Sequence, residues 1–351
     1  MTKAIKWLAY VALAAALAGC AGVQETPPAP TFGEAFTPID AVAQNAAMAR
    51  GINVLAGDPG WNDPGLARFK ARYFRTIRDA GFSTVRIVMN SFEHMDSSNT
   101  LDPHWVAFLD KMVEAALTAG LTVDLDEHDF MLCGNDPDNC RVKLDAFWSQ
   151  IAPRYKDAPN RLIFEMLNEP HGKLTAALWN AQLKETLAII RASNPARNVI
   201  IGPANWNGLE ELPNLELPDD PHIIVTFHYY HPFHFTHQGT TWNGPEIQAL
   251  HDVRWGTQAD EAAMNGEFDT VKAWAAAHNR PIFLGEFGAF ETAPLPDRYT
   301  WTAAVARGAE AHGFSWAYWQ FDHDFVAYDI DKEQWVEPIL AALIPPKAAA
   351  N

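Results

Sequence analysis

Short apolar runs typical of β-strands recur along the chain, and most are separated by a segment with the pattern of an amphipathic helix. Strands that alternate with helices indicate a parallel sheet covered by helices. Eight such units over roughly 290 residues are typical of a barrel that takes about 250 residues plus insertions. The sequence therefore predicts an α/β fold, a (β/α)8 TIM barrel in a single domain. The expected strands are 51–54, 84–88, 121–125, 162–167, 199–202, 223–227, 282–285 and 314–318.

The segment from Asp102 illustrates one unit of this pattern. Asp102 suits a helix N-cap, Pro103 fits the first turn, and Gly120 ends the helix just before an apolar run. The same helix–glycine–strand step recurs at Gly81 and Gly313. A doubly wound sheet is the rival architecture, but no glycine-rich phosphate loop follows the first expected strand. The barrel is therefore preferred.

Polar residues stand at or just after the ends of the expected strands. Glu169 follows the fourth strand and Glu286 follows the seventh. In a barrel the carboxyl ends of the strands meet at one face, so the two glutamates are expected to share a pocket. Paired carboxylates in one pocket are the groups that hydrolyse glycosidic bonds. The other strand-end residues singled out are Arg86, His128, Asn168, His228, Tyr230 and Trp319.

These residues lie in six motifs whose order resembles glycoside hydrolase family five, the cellulase family. The resemblance runs from about residue 51 to residue 319, nearly the whole expected domain. The motifs are Val-Arg-Ile (85–87), Asp-x-His (126–128), Asn-Glu-Pro (168–170), His-Tyr-Tyr (228–230), Gly-Glu-Phe-Gly (285–288) and Trp319.

The resemblance implies a division of labour between the two glutamates. Glu169 would be the acid/base and Glu286 the nucleophile, with Arg86 and Tyr230 orienting the Glu286 carboxylate. A guanidinium and a phenol hydrogen bond favour an ionised nucleophile, whereas an acid beside that anion keeps its proton. We therefore expect retention of anomeric configuration, with the carboxyl groups about 5–5.5 Å apart.

The same resemblance implies roles for four further residues. Asn168 would bond the 2-hydroxyl of the sugar at the cleavage point, and Trp319 would stack beneath that sugar. His128 and His228 would complete the polar floor. Glu165 lies within the fourth strand, where we expect a structural ion pair rather than a direct catalytic role.

Tryptophans in the expected loops are candidates for further sugar contacts, because flat rings suit the apolar faces of sugars. Trp206 and Trp242 follow the fifth and sixth strands and are the better candidates. Trp61 and Trp255 also fall in loops. Core packing is the alternative for each of these rings.

A histidine run invites a metal hypothesis, because zinc prefers histidine clusters and zinc-activated water also hydrolyses substrates. Pro232 and the aromatic residues within the run indicate an irregular loop rather than converging imidazoles, so we expect no metal. No dinucleotide or phosphate motif is present, so we expect no organic cofactor. The run consists of His228, His231, His234 and His237.

The N-terminus resembles a bacterial lipoprotein signal. Lys3 and Lys6 precede an apolar run, and Leu-Ala-Gly-Cys (17–20) ends it. We expect residues 1–19 to be removed, Cys20 to be lipidated and Ala21 to favour the outer membrane. The alternative is ordinary secretion to the periplasm or beyond, because Ala-Leu-Ala (16–18) also fits a cleavage site.

The composition of the chain predicts the boundaries of its remaining segments. Residues 20–45 are rich in proline and predict a tether, 46–344 form the catalytic domain, and 345–351 are a C-terminal tail. Cys133 and Cys140 lie in a polar segment expected to be a loop, where they could close a disulfide after export.

The acidity of the chain restricts its partners. A formal charge of −17 disfavours nucleic acid and anionic membrane, so membrane contact is expected only through the lipid anchor. We expect a monomer that acts on a neutral β-glucan, with β-1,4-glucan as the substrate implied by the family. Mannan, xyloglucan, licheninan and xylan stay open, as do a non-catalytic glycan-binding lipoprotein and a metal-dependent hydrolase.

Overall fold

The computed structural model describes residues 26–346 of the 351-residue chain. Eight parallel strands close into a barrel in sequence order, with the last strand paired to the first. The predicted (β/α)8 barrel is confirmed, and each expected strand overlaps an observed one. The strands are β1 Arg50–Val54, β2 Thr84–Met89, β3 Thr122–Glu127, β4 Leu162–Glu165, β5 Val199–Ile201, β6 Ile223–Tyr229, β7 Ile282–Phe287 and β8 Ser315–Tyr318.

Helices follow most of the strands, as the alternating pattern predicts. Between β5 and β6 there are only the four-residue segment Ala204–Asn207, whose backbone is partly left-handed, and the 3-10 helix Leu209–Asn214. Asp102 caps the third helix by accepting a hydrogen bond from the His104 amide, and Pro103 is its first residue. Tyr328–Asp329 and Gln334–Trp335 pair as a small antiparallel ribbon after the barrel. The helices are α1 Ala41–Met48, α2 Tyr73–Ala80, α3 Pro103–Thr118, α4 Phe130–Asn135, α5 Pro137–Arg154 and α6 Ala176–Ser193, then Phe233–Thr236, Gly244–Gln248, Gln258–His278, Leu295–His312 and Glu337–Leu343.

The first helix closes the N-terminal end of the barrel. Ala41 and Met48 of α1 are buried and join a core cluster that is separate from the main one. This apolar seal leaves the C-terminal ends of the strands as the open face. The strand residues of the cluster are Ile163, Ile200, Ile224, Phe283 and Ala317.

Residues 27–39 lie against the barrel, which corrects part of the predicted tether at 20–45. Arg154 donates a hydrogen bond to the carbonyl of Pro27. The guanidinium of Arg197 lies 4.6 Å from the centre of the Phe36 ring. Because these groups are held by the barrel and α1 begins at Ala41, the folded domain starts before residue 46. We call residues 27–39 the N-terminal strap.

Cys133 and Cys140 form a disulfide between α4 and α5. The prediction of a loop around them is wrong. Its polar residues belong to a helix junction, where Asp136 caps α5 by accepting a hydrogen bond from the Asn139 amide and Pro137 occupies the first turn.

The predicted signal segment, Cys20 and the C-terminal tail from residue 347 lie outside the described residues. Between residues 26 and 346, no helix is long and apolar enough to cross a membrane.

Candidate active site

The two predicted glutamates meet at the open face of the barrel. One carboxylate oxygen of Glu169 and one of Glu286 lie within 4.8 Å of each other. Glu169 follows β4, as expected. Glu286 and His228 lie inside β7 and β6 rather than after them, because both strands run further than the sequence pattern indicated. The structure therefore brings both carboxylates into one pocket.

Each oxygen of the Glu286 carboxylate accepts a hydrogen bond. Arg86 Nη1 donates to Oε1 at 2.7 Å, and the Tyr230 hydroxyl donates to Oε2 at 2.9 Å. Burial raises the pKa of Glu286, and the Arg86 charge opposes that rise because it stabilises the ionised form. The two donors hold the carboxylate in place and favour its charged state.

Glu169 has a different environment. Its Oε1 lies 2.7 Å from Nδ1 of His228, and its Oε2 has no hydrogen bond within residues 26–346. Burial, followed by the charge of Glu286, raises the pKa of Glu169 well above its usual value. The pair thus consists of one carboxyl group that keeps its proton and one that ionises more readily. The φ angle of Glu169 is 41°, a strained backbone conformation that recurs at functional sites.

Arg86 also contacts buried acids beneath the pocket. Its Nε and Nη2 donate to Glu165 at 2.7 and 3.0 Å, and Asp126 lies 3.0 Å from Nη2. Glu165 is therefore in an ion pair, the position expected of it. Burial raises the pKa of Asp126 to about 7 and that of Asp124 well above its usual value. Asn53 accepts a further hydrogen bond from Arg86 at 2.9 Å.

His128 and His228, which the sequence predicts to form a polar floor, are both buried. The Nδ1 atom of His128 lies 2.5 Å from Asp126, and its ring stacks on Trp319 with centroids 5.5 Å apart. Asn168 lies 3.4 Å from Nε2 of His128. Burial lowers the pKa of His128 to about 4 and that of His228 well below its usual value, so both imidazoles are neutral near pH 7.

The two candidate tryptophans after β5 and β6 are exposed. Trp206 is 45% exposed and Trp242 is 53% exposed. The Trp206 ring stacks on His171 at 3.6 Å between centroids. Trp61 and Trp255, by contrast, are buried in the core.

Ring contacts join both exposed tryptophans to the floor of the pocket. Phe130 lies between Trp206 and His128, with centroids 6.0 and 5.0 Å away. Phe325 lies 5.9 Å from Tyr230 and 5.7 Å from Phe290, the ring that contacts Trp242. Each exposed tryptophan is therefore linked through other rings to a residue beside the glutamate pair, and we call these two exposed rings the rim of the pocket.

The histidine run does not converge. His231 pairs with Glu267 at 3.0 Å, whereas His237 is buried and stacks on Phe233 at 4.0 Å. Only His228 of the run contacts the glutamate pair. The trio of Glu169, His228 and Glu286 has one ligand atom each within 4.8 Å, so the acidic pair, rather than the run, defines the site.

Two site residues escaped the sequence interpretation. Asn53 is a buried polar residue between Ile52 and Val54 near the end of β1, a signal like the one that singled out Arg86. Asn207 lies 3.3 Å from Nε2 of His228. It belongs to a turn after β5 in which no local pattern points to the pocket.

Comparison with known proteins shows which protein family the chain matches. The profile described as "Cellulase (glycosyl hydrolase family 5)" matches residues 43–324. Endoglucanase H of Acetivibrio thermocellus is 32% identical over 282 residues, which is 78% of this chain and 30% of that protein. Endoglucanase A of Clostridium longisporum is 25% identical, and the chain spans 53% of its length. The chain thus spans between 30% and 53% of the length of these two relatives.

Solved structures extend the comparison over whole chains. The endoglucanase Cel5A of Thermotoga maritima is 38% identical with a TM-score of 0.83, covering 87% of this chain and all of that one. Structures of that enzyme are described with cellobiose and with mannotriose. The cellulose synthase subunit Z of Clostridioides difficile is 37% identical with a TM-score of 0.80, covering 85% of this chain and 99% of that one.

Proposed function

This chain belongs to the cellulase family, glycosyl hydrolase family 5, a family of O-glycosyl hydrolases, and we propose that it is a retaining, endo-acting β-1,4-glucanase. The observation that carries the proposal is the spacing of the glutamates, whose nearest paired oxygens lie within 4.8 Å. Retaining enzymes place the two carboxyl groups about 5–5.5 Å apart, whereas inverting enzymes need about 6.5–9.5 Å to admit a water.

In the first step, a carboxylate oxygen of Glu286 attacks the anomeric carbon, and the bond from that carbon to the glycosidic oxygen breaks. Glu169 gives its proton to the departing oxygen. Arg86 and Tyr230 keep Glu286 ionised and aimed, since each holds one of its oxygens. The raised pKa of Glu169 supports its role as the acid.

In the second step the roles change because the charge of Glu286 is lost in the glycosyl ester. Removing that nearby negative charge lowers the pKa of Glu169. Glu169 then takes a proton from a water, whose oxygen replaces Glu286 at the anomeric carbon. Two displacements at one carbon retain its configuration.

The surrounding residues suit a chain of sugar rings. Asn168 is placed to bond the 2-hydroxyl, and Trp319, stacked on His128, is placed to contact the face of the same sugar. Trp206 and Trp242 would stack on sugars further along the cleft, because both rings are exposed at its rim.

The names of similar proteins support β-1,4-glucan as the substrate, because the chain resembles several endoglucanases. A second candidate is β-mannan, since a structure at 37% identity is described in complex with mannotriose. Xyloglucan, licheninan and xylan complete the set worth testing.

The test uses protein that begins at Ala21, assayed against these five polysaccharides, with products resolved by length and their anomers followed by NMR. We expect short cello-oligosaccharides of mixed length, with the β-anomer formed first. Glu286→Gln should abolish turnover and leave glycan binding intact. An α-anomer as first product would refute retention, and binding without turnover by the wild type would favour a glycan-binding lipoprotein.

We further propose that the protein is an exported monomer anchored in the outer membrane through lipid on Cys20. The basic start, apolar run and Leu-Ala-Gly-Cys sequence support this placement. Cells fed a labelled fatty acid should label the wild type but not Cys20→Ser, and only the wild type should sediment with outer membranes. Equal labelling of both proteins would rule out Cys20 as the anchor.

A further inference from the structure

A left-handed turn after β5 links the rim of the pocket to its floor. Asn205, Trp206 and Asn207 have φ angles of 56°, 66° and 52°. A single non-glycine residue in this region is uncommon, and such strain persists only where the surrounding structure holds it. The turn exposes the Asn205 and Trp206 side chains and buries that of Asn207 completely.

The buried side chain of Asn207 lies against His228. Its amide nitrogen is 3.3 Å from Nε2 of that ring. The side chain fills the space that a Cβ atom at Gly202 would need, so glycine at position 202 gives it room. No other hydrogen bond to Nε2 of His228 is present within residues 26–346.

The contact to Nε2 has a consequence for the opposite side of the ring. His228 is neutral near pH 7, because burial lowers its pKa well below the usual value, so only one ring nitrogen carries a hydrogen. Because Nε2 accepts a hydrogen bond from the Asn207 amide, Nε2 carries no hydrogen. The hydrogen is then on Nδ1, which lies 2.7 Å from Oε1 of Glu169 and donates to it.

The tautomer of His228 decides which oxygen of Glu169 holds the acidic proton. When Nδ1 donates to Oε1, that oxygen accepts and the proton stays on Oε2, the oxygen with no partner in the described structure. In the other tautomer, Nδ1 would accept a hydrogen bond from Oε1–H. The proton would then point at the imidazole and away from the glycosidic oxygen.

We propose that Asn207 is a positioning residue that holds His228 as the Nδ1–H tautomer and thereby keeps the transferable proton of Glu169 on Oε2. This inference rests on the proposed acid/base role of Glu169. Charged or titratable groups that also face His228 are Glu286 on β7, Arg86 on β2 and His128 after β3.

The turn offers a matched pair of variants, because asparagine occupies two of its left-handed positions and aspartate tolerates that backbone equally well. Asn207→Asp replaces the amide donor with a carboxylate, which in its ionised form only accepts and so requires a hydrogen on Nε2 of His228. Asn205→Asp makes the same chemical change at an exposed position in the same turn.

The experiment compares kcat/KM on two substrates. Hydrolysis of a cello-oligosaccharide needs the acid, whereas the first step on a dinitrophenyl cellobioside does not, because its leaving group departs without a proton. We expect Asn207→Asp to lower kcat/KM on the oligosaccharide roughly 10²-fold, the low end of general acid catalysis, and to change kcat/KM on the aryl glycoside less than about threefold. Asn205→Asp should change neither.

Equal losses on both substrates would overturn the inference and indicate a merely structural role. Wild-type protein with 15N-labelled histidine gives an independent reading that does not depend on any variant folding. The His228 nitrogens should show hydrogen on Nδ1, and hydrogen on Nε2 would also overturn the inference. A wild type that hydrolyses neither substrate would instead refute the proposed function.

Discussion

Glu169 and Glu286 are the same residue type in one pocket, and their contacts set them apart. Glu286 accepts hydrogen bonds from Arg86 and Tyr230, whereas Glu169 contacts a neutral imidazole. Stabilising the charged form lowers a carboxyl pKa, and burial without a positive partner raises it. The proposed division between nucleophile and acid therefore rests on neighbouring side chains rather than on the glutamates themselves.

Tyr230→Phe tests this difference. Losing the hydroxyl removes a hydrogen bond to the charged form of Glu286, so the pKa of Glu286 rises and the acid limb of kcat/KM moves to higher pH. A hydrogen bond to a charged group contributes about 1.5–3 kcal/mol, which corresponds to a shift of roughly 1 to 2 pH units. The measurement is the pH profile of kcat/KM on a cello-oligosaccharide.

The neighbouring tyrosine provides the control. Tyr229 donates its hydroxyl to Glu267 at 2.6 Å, outside the glutamate pair. Tyr229→Phe should leave both limbs of the pH profile in place. An unmoved acid limb in Tyr230→Phe, or an equal shift in both variants, would contradict the assignment of Tyr230.

Most of the pocket could be predicted from single positions, because polar residues at strand ends are conspicuous beside apolar runs. Arg86, His128 and Glu286 gave this signal. Asn207 gave none, because its approach to His228 depends on a turn of three left-handed residues that no local sequence pattern indicates. Glu165 could be assigned to an ion pair, but its bond to Arg86 beneath Glu286 needed coordinates.

Two elements outside the barrel strands are held by contacts that we expect to contribute stability. The disulfide of Cys133 and Cys140 joins α4 to α5 and closes a short loop. A covalent link of this kind restricts the unfolded chain.

Replacing both cysteines by alanine should lower the free energy of unfolding by about 2–3 kcal/mol, the value expected for a small loop. Urea denaturation of both proteins measures the difference. Reductant should destabilise the wild type by a similar amount and leave the double variant unchanged. Equal stability of oxidised wild type and variant would show that the link contributes nothing.

The N-terminal strap is the second such element. Phe36 lies over Arg197, and the side-chain amide of Asn198 donates a hydrogen bond to the carbonyl of Ile39. Both barrel residues precede β5, at the end of the barrel away from the glutamates. A chain that begins at Asp40 should lose roughly 2 kcal/mol or more of unfolding free energy. Its kcat/KM at low temperature should match that of a chain beginning at Thr26. Equal stability of the two chains would mean that the strap contacts are not stabilising.

Two errors of the sequence interpretation lie in these same segments. Proline-rich composition in 20–45 predicted a tether, yet the strap is held by barrel residues more than 100 positions away. The polar stretch around Asp136 predicted a loop, yet its residues cap and begin α5. Composition describes what a segment could do alone and does not include its distant partners.

For the whole molecule, the barrel could be predicted because its signal is local and repeated. Most units show an apolar run, a helix and a glycine or proline, and eight such units are the number that closes a barrel of this kind. The plug that Ala41 and Met48 of α1 form against Ile163 and Phe283 could not be predicted, since nothing in residues 41–48 indicates which end of a barrel they cover.

The charge of the molecule predicts its response to salt. The protein has a formal charge of −17, but a neutral glucan interacts only weakly with the electric field of that charge. For a neutral glucan, kcat/KM should therefore change less than about twofold between low and physiological ionic strength. Carboxymethylcellulose is the matched anionic substrate. Its kcat/KM should rise with salt as repulsion is screened, and a fall would indicate a basic binding surface instead.

The central claim is that Glu286 becomes covalently bound to the sugar while Glu169 supplies and removes the proton. Incubation with an activated 2-deoxy-2-fluorocellobioside, followed by peptide mapping by mass spectrometry, tests it most directly. We predict a stable mass increase that corresponds to one fluorocellobiosyl group per chain. The group should be located on Glu286 and absent from Glu286→Gln. A label on any other residue, or substrate turnover with no covalent species, would contradict the account.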